Sequence, residues 1–282
     1  MTTTIKRAYN FNAGPSALPL EVLEVAQKEL LDFQNTGMSV MELSHRSATF
    51  EAVHNGAIEL LRKIYNIPEN YEVLFLQGGA SLQFTMIPMN FLSEGKTASY
   101  VQTGAWSEKA FKEAKFFGTP VEAASTKENK YKNIPSQEDI KFNVDDAYVH
   151  ITSNNTIFGT QWKVFPDTGD VPLVADMSSD ILSKPVDVSK FGIIYAGAQK
   201  NLGPSGVTVV IIRKDLLEKA NTNIPTMLKY TTHADNNSLY NTPPTFGIYM
   251  LGEVLKWVEA QGGLDKVAQN NEEKAALIYD VI

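Results

Sequence analysis

A single lysine, Lys200, lies in a glycine-rich connection between two apolar stretches, residues 191–195 and 207–212. Both stretches are rich in β-branched side chains, which is typical of buried strands. Burial disfavours a charged ammonium group, so a lysine between two such strands is shifted towards its neutral amine, which is a nucleophile. The small residues around Lys200 would also let a flat ligand approach the backbone closely. The alternative is a lysine that extends from an ordinary hairpin turn into solvent.

A second candidate, Asp176, directly follows the apolar stretch 172–175 and precedes Lys200 by 24 residues. A carboxylate at the end of a buried strand is unfavourable unless it has a partner. The partner could be the backbone of a following turn, which the carboxylate would cap, or a cationic ligand such as a protonated pyridine. The spacing fits a strand–crossover–strand unit, which brings both residues to one edge of a parallel sheet. Pyridoxal phosphate requires such a pair, with a lysine for its aldehyde and a carboxylate for its ring nitrogen.

Two strand-to-helix junctions carry further candidates. A glycine turn at residues 77–81 joins the strand 72–76 to a helix, and such a turn can direct backbone N–H groups at a phosphate. It matches neither the dinucleotide-binding nor the P-loop glycine pattern, and a plain strand–helix connection is the more common explanation. Trp106 follows the strand 97–101, where an aromatic ring could stack on a flat ligand or pack into the core.

His45 and Arg46 lie side by side between two helices that apolar periodicity predicts at residues 20–33 and 48–65. Arg46 could bind a substrate carboxylate through its forked guanidinium group, whereas the simpler interpretation is a surface arginine beside a capping serine. Further along, residues 221–246 form a long polar segment, which predicts a functional loop or an interface. Spacing alone leaves these alternatives open.

The overall composition limits the possible functions. The chain of 282 residues has a net charge of −7 and no cysteine. The negative charge argues against nucleic acid or an anionic membrane as the main partner, and the lack of cysteine excludes disulfides, cysteine-ligated metals and cysteine nucleophiles. The first residues are not followed by the apolar core of a signal peptide, and no apolar run approaches transmembrane length, so we expect a cytoplasmic protein.

Short motifs along essentially the whole chain identify it as a member of a known family. It resembles the phosphoserine aminotransferases, which are class-V pyridoxal-phosphate enzymes of fold type I. Each motif alone is weakly specific, but all eight occur here in the family's order. They occupy residues 11–15, 44–47, 77–81, 104–107, 153–156, 175–179, 196–201 and 241–244.

The resemblance implies an α/β fold, with a large domain built on a mostly parallel seven-stranded sheet flanked by helices. It divides the chain into an N-terminal arm at residues 1–15, a large pyridoxal-phosphate-binding domain at 16–255, and the start of a small C-terminal domain at 256–282. Members of the family continue past the position of Ile282, so we expect the small domain to be incomplete in this chain.

The resemblance also implies a role for each candidate side chain. Lys200 would form a Schiff base with pyridoxal phosphate and later move a proton between the substrate Cα and the cofactor. Asp176 would pair with the pyridinium nitrogen, and Trp106 would stack on the ring. Of the remaining cofactor contacts, Thr156 would bind near the phenolic oxygen, and the phosphate would be held by Ala80, Ser81 and Gln199 together with Asn241 and Thr242 of a second subunit.

The contacts from a second subunit imply a homodimer with shared active sites, and Arg46, helped by His45, would bind the substrate carboxylate. The implied reaction transfers an amino group between L-glutamate and 3-phosphooxypyruvate, giving 2-oxoglutarate and O-phospho-L-serine in serine biosynthesis. A part in pyridoxine biosynthesis stays open, and no metal is implied. Two other functions compete, namely another aminotransferase, such as an alanine–glyoxylate type, and a non-catalytic relative that binds pyridoxal phosphate without turnover. A nucleotide-binding module is disfavoured because its glycine motif is missing.

Overall fold

The structure is a computed structural model that describes residues 6–282. Residues 1–5 of the predicted N-terminal arm lie outside the described residues. Within this described part of the chain, nine strands form one large sheet and one small hairpin. They are β1 (Tyr71–Leu76), β2 (Thr97–Gln102), β3 (Thr119–Ser125), β4 (Val149–Thr152), β5 (Asn154–Asn155), β6 (Thr160–Gln161), β7 (Leu173–Asp176), β8 (Ile193–Gly197) and β9 (Thr208–Arg213).

The large sheet has seven strands in the order β1-β9-β8-β7-β4-β2-β3, and the two-residue strands β5 and β6 pair separately. Strands β8, β7, β4, β2 and β3 run parallel to one another, whereas β9 runs antiparallel to both of its neighbours, β1 and β8. Central strands such as β9 are buried on both faces, which explains their continuous apolar sequence. The predicted fold, a mostly parallel seven-stranded sheet, is therefore confirmed.

Helices cover both faces of this sheet and divide the core into two layers. Helices α1, α2, α7 and α8 contribute to the apolar cluster on one face, and α3, α4, α5 and α6 to the cluster on the other. Within residues 6–282, no helix is both long enough and apolar enough to cross a membrane. The helices are α1 (Leu20–Glu29), α2 (Ala48–Tyr65), α3 (Gly79–Phe91), α4 (Ala105–Ala114), α5 (Lys214–Lys219), α6 (Tyr230–Asp235), α7 (Thr245–Ala260) and α8 (Gly263–Tyr279).

Two predicted elements differ from the observed ones. The helix predicted at 20–33 ends at Glu29, and Phe33 lies in a separate short turn where Gln34 and Asn35 adopt positive φ angles of 52° and 62°. The segment predicted as a long polar loop contains α6, which begins at the fully buried Tyr230. The Tyr230 hydroxyl donates a 2.6 Å hydrogen bond to Oε1 of Gln83 in α3. This tertiary contact stabilises a short helix that the polar composition conceals.

The predicted division into an arm, a large domain and the start of a small domain stays a prediction. Helix α7 continues through the predicted boundary at residues 255 and 256. Helix α8, which makes up most of the predicted small-domain segment, packs against α7 and α2.

The carboxylate of Asp146 holds the start of the adjoining strands together, and its loss should destabilise the fold. It is 6% exposed and accepts hydrogen bonds from the hydroxyls of Ser99, at 2.6 Å, and Thr97, and from the backbone N of Asn143, at 3.0 Å. Asp146→Ala leaves three donors without their acceptor, and one of them is the fully buried hydroxyl of Ser99, so we expect a loss of about 1–3 kcal/mol in the free energy of unfolding. Urea denaturation measures this loss.

The neighbouring Asp145 is exposed and provides the matched control. Asp145→Ala should change the free energy of unfolding by no more than about 0.5 kcal/mol. Equal effects of the two alanine variants would contradict the role of Asp146.

A buried histidine makes the stability depend on pH. His54 is fully buried in α2, and its ring lies edge-on to that of Phe75, with 5.3 Å between the ring centroids. Burial disfavours the imidazolium ion and lowers the pKa of His54 from 6.5 to about 4. Between these two values the unfolded chain binds more protons than the folded chain, so stability falls as the pH decreases.

The protonation of His54 alone should lower the free energy of unfolding by about 2 kcal/mol when the pH decreases from 7 to 5. His54→Leu should remove that part of the pH dependence, because leucine does not titrate. Urea unfolding of both proteins at the two pH values measures the difference between their slopes. The same slope in both proteins would refute the assignment to His54.

Candidate active site

A cavity of about 410 Å³ lies at the carboxyl ends of the parallel strands, at the edge of the sheet where α/β proteins bind ligands. Residues at the ends of five strands and in the connections that follow them line it. These strands are β1, β2, β4, β7 and β8, and the N-terminal segment adds Ala13 and Gly14. The cavity brings together seven residues predicted from the sequence to bind a cofactor, namely Ala80, Ser81, Trp106, Thr156, Asp176, Gln199 and Lys200.

Asp176 supplies a buried carboxyl group at the floor of the cavity. It is the last residue of β7, is 5% exposed, and accepts a 2.9 Å hydrogen bond at Oδ1 from the backbone N of Ser178. Burial raises the pKa of this carboxyl, while the bond from Ser178 and the charge of Lys200 act in the opposite direction. A cationic ligand in the cavity would therefore stabilise the ionised carboxylate.

The strand–crossover–strand unit predicted from the spacing of Asp176 and Lys200 is confirmed. Strands β7 and β8 are parallel neighbours, with Asp176 opposite Tyr195, and Lys200 follows the end of β8 by three residues. Both side chains line the same cavity. A Cβ added to Gly197 would lie 2.6 Å from Oε1 of Gln199, so the side chain of Gln199 occupies the space beside this glycine at the end of β8.

Lys200 lies in the connection 198–207 between β8 and β9, which are antiparallel. The connection is thus a hairpin, as the alternative interpretation proposed, but it is held in place by specific bonds. The carbonyl of Ala198 accepts from the backbone N of Leu202, at 3.1 Å, and of Gly203, at 2.9 Å, and Asn201 donates to the carbonyl of Ile181 at 2.8 Å. The half-buried Lys200 side chain lines the cavity, so its amine can reach a ligand there.

The N-terminus of α3 forms an anion-binding wall of the cavity. Gly78 and Gly79 have φ angles of 85° and 64°, which turn the chain from β1 into α3, and a Cβ at Gly78 would lie 2.6 Å from the side chain of Leu82. The first N–H groups of a helix have no partner within the helix and carry partial positive charge. Gly79, Ala80 and Ser81, in the first turn of this 13-residue helix, line the cavity, where they would suit a phosphate.

Trp106 places an aromatic ring beside the Lys200 amine. It lies in the first turn of α4, and its ring centroid is 5.9 Å from the Nζ of Lys200 and 4.3 Å from the Nζ of Lys109. The hydroxyl of Ser107 fixes this turn, because it donates to the carbonyl of Gly104 at 2.8 Å and accepts from the Gly104 backbone N at 3.1 Å. The ring is thus supported by a rigid helix start.

Sequence reasoning missed Thr152, the last residue of β4. It lies opposite Asp176 in the parallel register and lines the same cavity. Its buried hydroxyl and the indole N–H of Trp106 have no hydrogen-bond partner within residues 6–282. The alternation of side chains between the two faces of a strand could have indicated on which face of β4 Thr152 lies. The pairing of β4 with β7 could not be predicted in this way, because it depends on the tertiary structure.

Four predicted site residues lie away from the cavity of this chain. Arg46 is exposed in the turn before α2, where Ser47 caps the helix by accepting a 3.2 Å hydrogen bond from the N of Phe50. The capping serine of the simpler interpretation is therefore confirmed. The other three are His45, beside Arg46, and Asn241 and Thr242, which are exposed in the segment before α7.

None of these four residues lines the cavity of the single chain, so their binding roles stay predictions. No group of three or more histidine, aspartate or glutamate side chains suited to a metal ion occurs among the described residues.

Comparisons with known proteins agree with this geometry. The family model of the class-V aminotransferases matches residues 8–282. A phosphoserine aminotransferase from Lysinibacillus sphaericus is 78% identical over 98% of this chain and 76% of its own length. The chain belongs to the phosphoserine aminotransferase family.

Solved structures of the phosphoserine aminotransferase family share the fold. The enzyme from Bacillus circulans subsp. alkalophilus is 62% identical and superposes with a TM-score of 0.96, over 98% of this chain and 76% of the other. A PLP-bound phosphoserine aminotransferase from Trichomonas vaginalis is 43% identical with a TM-score of 0.91, over 98% of this chain and 77% of the other. The sequence-based family assignment is thus confirmed.

Proposed function

We propose that this chain transfers the amino group between L-glutamate and 3-phosphooxypyruvate, giving 2-oxoglutarate and O-phospho-L-serine, with pyridoxal phosphate held in the cavity. The observation that carries the proposal is the buried carboxyl of Asp176 and the amine of Lys200 on one cavity at the carboxyl edge of the sheet. Membership of the phosphoserine aminotransferase family supports the choice of substrates.

The residues around the cavity fit pyridoxal phosphate. Its ring nitrogen requires an anionic partner, its aldehyde an amine and its phosphate a cluster of N–H donors, and the cavity offers Asp176, Lys200 and the start of α3. The unpartnered buried hydroxyl of Thr152 and the indole N–H of Trp106 add two polar groups that are unsatisfied without a ligand. When bound, pyridoxal phosphate supplies a protonated ring that accepts electrons as the substrate Cα loses its proton.

Asp176 keeps a proton on the ring nitrogen. Its carboxylate is buried, so its interaction with a cation is weakly screened by water. The bond from the backbone N of Ser178 holds the carboxyl in one orientation. The same burial that raises the pKa of Asp176 in the free protein thus strengthens its pairing with a cationic ring.

Lys200 acts first as the amine that holds the cofactor aldehyde. Its Nζ would also be the base that accepts the proton lost by the substrate Cα and the acid that gives this proton back. The fixed connection 198–207 keeps the Nζ near both positions.

The remaining walls orient the ligand. The first N–H groups of α3, with Ser81 and Gln199, line the cavity and would hold the phosphate, and Trp106 would stack on the ring and exclude water. Thr156, which also lines the cavity, would bind near the phenolic oxygen. Lys200 is the only cationic side chain that lines the cavity within residues 6–282, whereas both substrates are anions.

We therefore propose that a homodimer completes the site, with Asn241 and Thr242 of the second copy reaching the phosphate and Arg46, with His45, binding the substrate carboxylate. The exposure of Arg46, Asn241 and Thr242 is compatible with these contacts. The cytoplasmic location and a part in pyridoxine biosynthesis stay predictions.

A visible absorbance spectrum of the purified protein tests the proposal. Added pyridoxal phosphate should produce a yellow protein, and L-glutamate should bleach the colour as the first half of the reaction proceeds. D-Glutamate is the control and should leave the colour unchanged. A protein that stays colourless, or whose colour is unaffected by L-glutamate, would contradict the proposed function.

The choice of acceptor separates this function from that of an alanine–glyoxylate aminotransferase. With the glutamate-treated protein, 3-phosphooxypyruvate should restore the yellow colour much faster than glyoxylate does. Faster recovery with glyoxylate would favour the competing function.

A further inference from the structure

The N-terminal segment 13–16 packs directly on the connection that carries Lys200. The backbone N of Ser16 donates a 2.9 Å hydrogen bond to the carbonyl of Gln199, and the hydroxyl of Ser16 donates to the carbonyl of Lys200. Ser16 and Lys200 are 184 residues apart in the sequence. Two adjacent carbonyls of the lysine connection are therefore tied to one serine at the start of the chain.

Gly14, two residues before Ser16, lies against the aliphatic stem of Lys200. A Cβ added to Gly14 would lie 3.1 Å from Cγ, 3.4 Å from Cε and 3.8 Å from Cδ of the lysine. The φ angle of Gly14 is 154°, which also favours glycine. Any larger residue at position 14 would have to displace the lysine stem by several tenths of an ångström.

Positioning matters for this lysine because its side chain is long and flexible. Four rotatable bonds separate the Lys200 backbone from its Nζ, and an unrestrained lysine samples many rotamers. The proposed chemistry needs the Nζ at one site for the cofactor and then at the substrate Cα, and an error of ~1 Å in such geometry can reduce a rate roughly 10²-fold. The backbone bonds within 198–207 hold the connection but do not restrain the stem.

We propose that Gly14 and Ser16 are positioning residues for Lys200. Ser16 holds the Lys200 backbone through its carbonyl, and the missing side chain at Gly14 defines the path of the stem into the cavity. The inference rests on the proposed function, in which Lys200 holds the cofactor. By this inference, the N-terminal segment 13–16 contributes to the active site by positioning its lysine.

Four variants distinguish a role in positioning Lys200 from a role in stabilising the fold only. Gly14→Ala introduces the Cβ against the stem, and Ser16→Ala removes the hydroxyl, whereas Ser16→Thr keeps a hydroxyl at that place. Gly206→Ala is the matched control, because Gly206 lies in the same connection, has a φ angle of 118°, and offers open space within 4 Å to a Cβ. The control therefore adds comparable backbone strain without touching Lys200.

The first measurement is the rate at which pyridoxal phosphate attaches to the cofactor-free dimer, followed by visible absorbance. This rate depends on Lys200 before any turnover. We expect Gly14→Ala to slow attachment at least about tenfold and Ser16→Ala about threefold, whereas Ser16→Thr and Gly206→Ala should stay within about twofold of the parent protein. In steady-state assays, kcat should fall in parallel, while KM for glutamate changes little, because these residues position the amine and do not bind substrate.

The outcomes distinguish this inference from the proposed function. A parent protein that fails to become yellow refutes the proposed function itself. If the parent becomes yellow and Gly206→Ala slows attachment as much as Gly14→Ala does, the contact with Lys200 is not the cause and the inference fails. If Gly14→Ala does not fold, the comparison of the two Ser16 variants tests the inference. Equal attachment rates for Ser16→Ala and Ser16→Thr would overturn the role of the hydroxyl.

Discussion

Replacing Lys200 by alanine is expected to lower the rate of amino transfer by about 10⁴-fold or more, because one substitution removes both the amine that holds the cofactor and the base that moves the Cα proton. The half-buried side chain makes no hydrogen bond through its Nζ to another described residue, so the fold should tolerate the change. Steady-state assays with L-glutamate and 3-phosphooxypyruvate measure the rate. The visible band of the attached cofactor should disappear as well.

Lys190 provides the control for this experiment. It is exposed in the turn before β8 and lies outside the cavity, so Lys190→Ala removes the same side chain and charge from the protein surface. That variant should keep turnover within about twofold of the parent protein. A Lys200→Ala variant that retained more than about a tenth of the parent rate would refute the assignment of Lys200.

Asp176→Asn should reduce kcat by about 10²–10⁴-fold without weakening the fold. Asparagine has nearly the same shape as aspartate, but its neutral side chain cannot keep a proton on the cofactor ring nitrogen. In the cofactor-free protein, burial raises the pKa of Asp176 above its value in the unfolded chain. The stability that this group contributes is therefore present at low pH and lost as the pH rises through the folded pKa.

The substitution removes the free-energy cost of ionising a buried carboxyl group, because asparagine stays neutral. We therefore expect cofactor-free Asp176→Asn to unfold at the same temperature as the parent protein or at a higher one, although its activity is lost. Thermal unfolding at pH 7, together with kcat, tests both halves of the prediction.

Asp180 is a matched control for Asp176, because it is equally buried, at 6% exposure, and burial likewise raises its pKa. Its carboxylate accepts hydrogen bonds from the hydroxyl of Ser153 and, at 2.9 Å, from Nε2 of Gln161, and it does not line the cavity. Asp180→Asn should keep kcat within about threefold of the parent value. Equal losses of kcat in the two variants would show that burial of a carboxyl, and not its contact with the cofactor, is what matters.

Much of the fold and the centre of the site could be predicted from the sequence. The apolar stretches around Lys200 and before Asp176 became β7, β8 and β9, and the spacing of the two residues predicted that they share one edge of the sheet. Such predictions succeed because burial sets the composition of a strand, and because parallel neighbours must be joined by a right-handed crossover. The glycine turn before α3 was also visible in the sequence.

Other features depended on contacts that local patterns do not encode. The polar composition of residues 221–246 predicted a loop, whereas burial of Tyr230 against α3 produced the helix α6. The order of the strands placed Thr152 beside Asp176, and only that order reveals its unpartnered hydroxyl as part of the cavity wall.

The types and order of residues along the chain were enough to predict the chemistry, since the lysine, the aspartate and the family motifs are readable residue by residue. How the lysine is held became visible in the three-dimensional contacts. Ser16 contacts Lys200, which is 184 positions further along the chain, and Gly14 lies against the same lysine. Arg46 lies outside the cavity of its own chain. Secondary-structure propensity and hydrophobic periodicity are properties of a few consecutive residues. Contacts between distant segments form only when the whole chain folds around one sheet, so the partners of a residue cannot be predicted from its own segment alone.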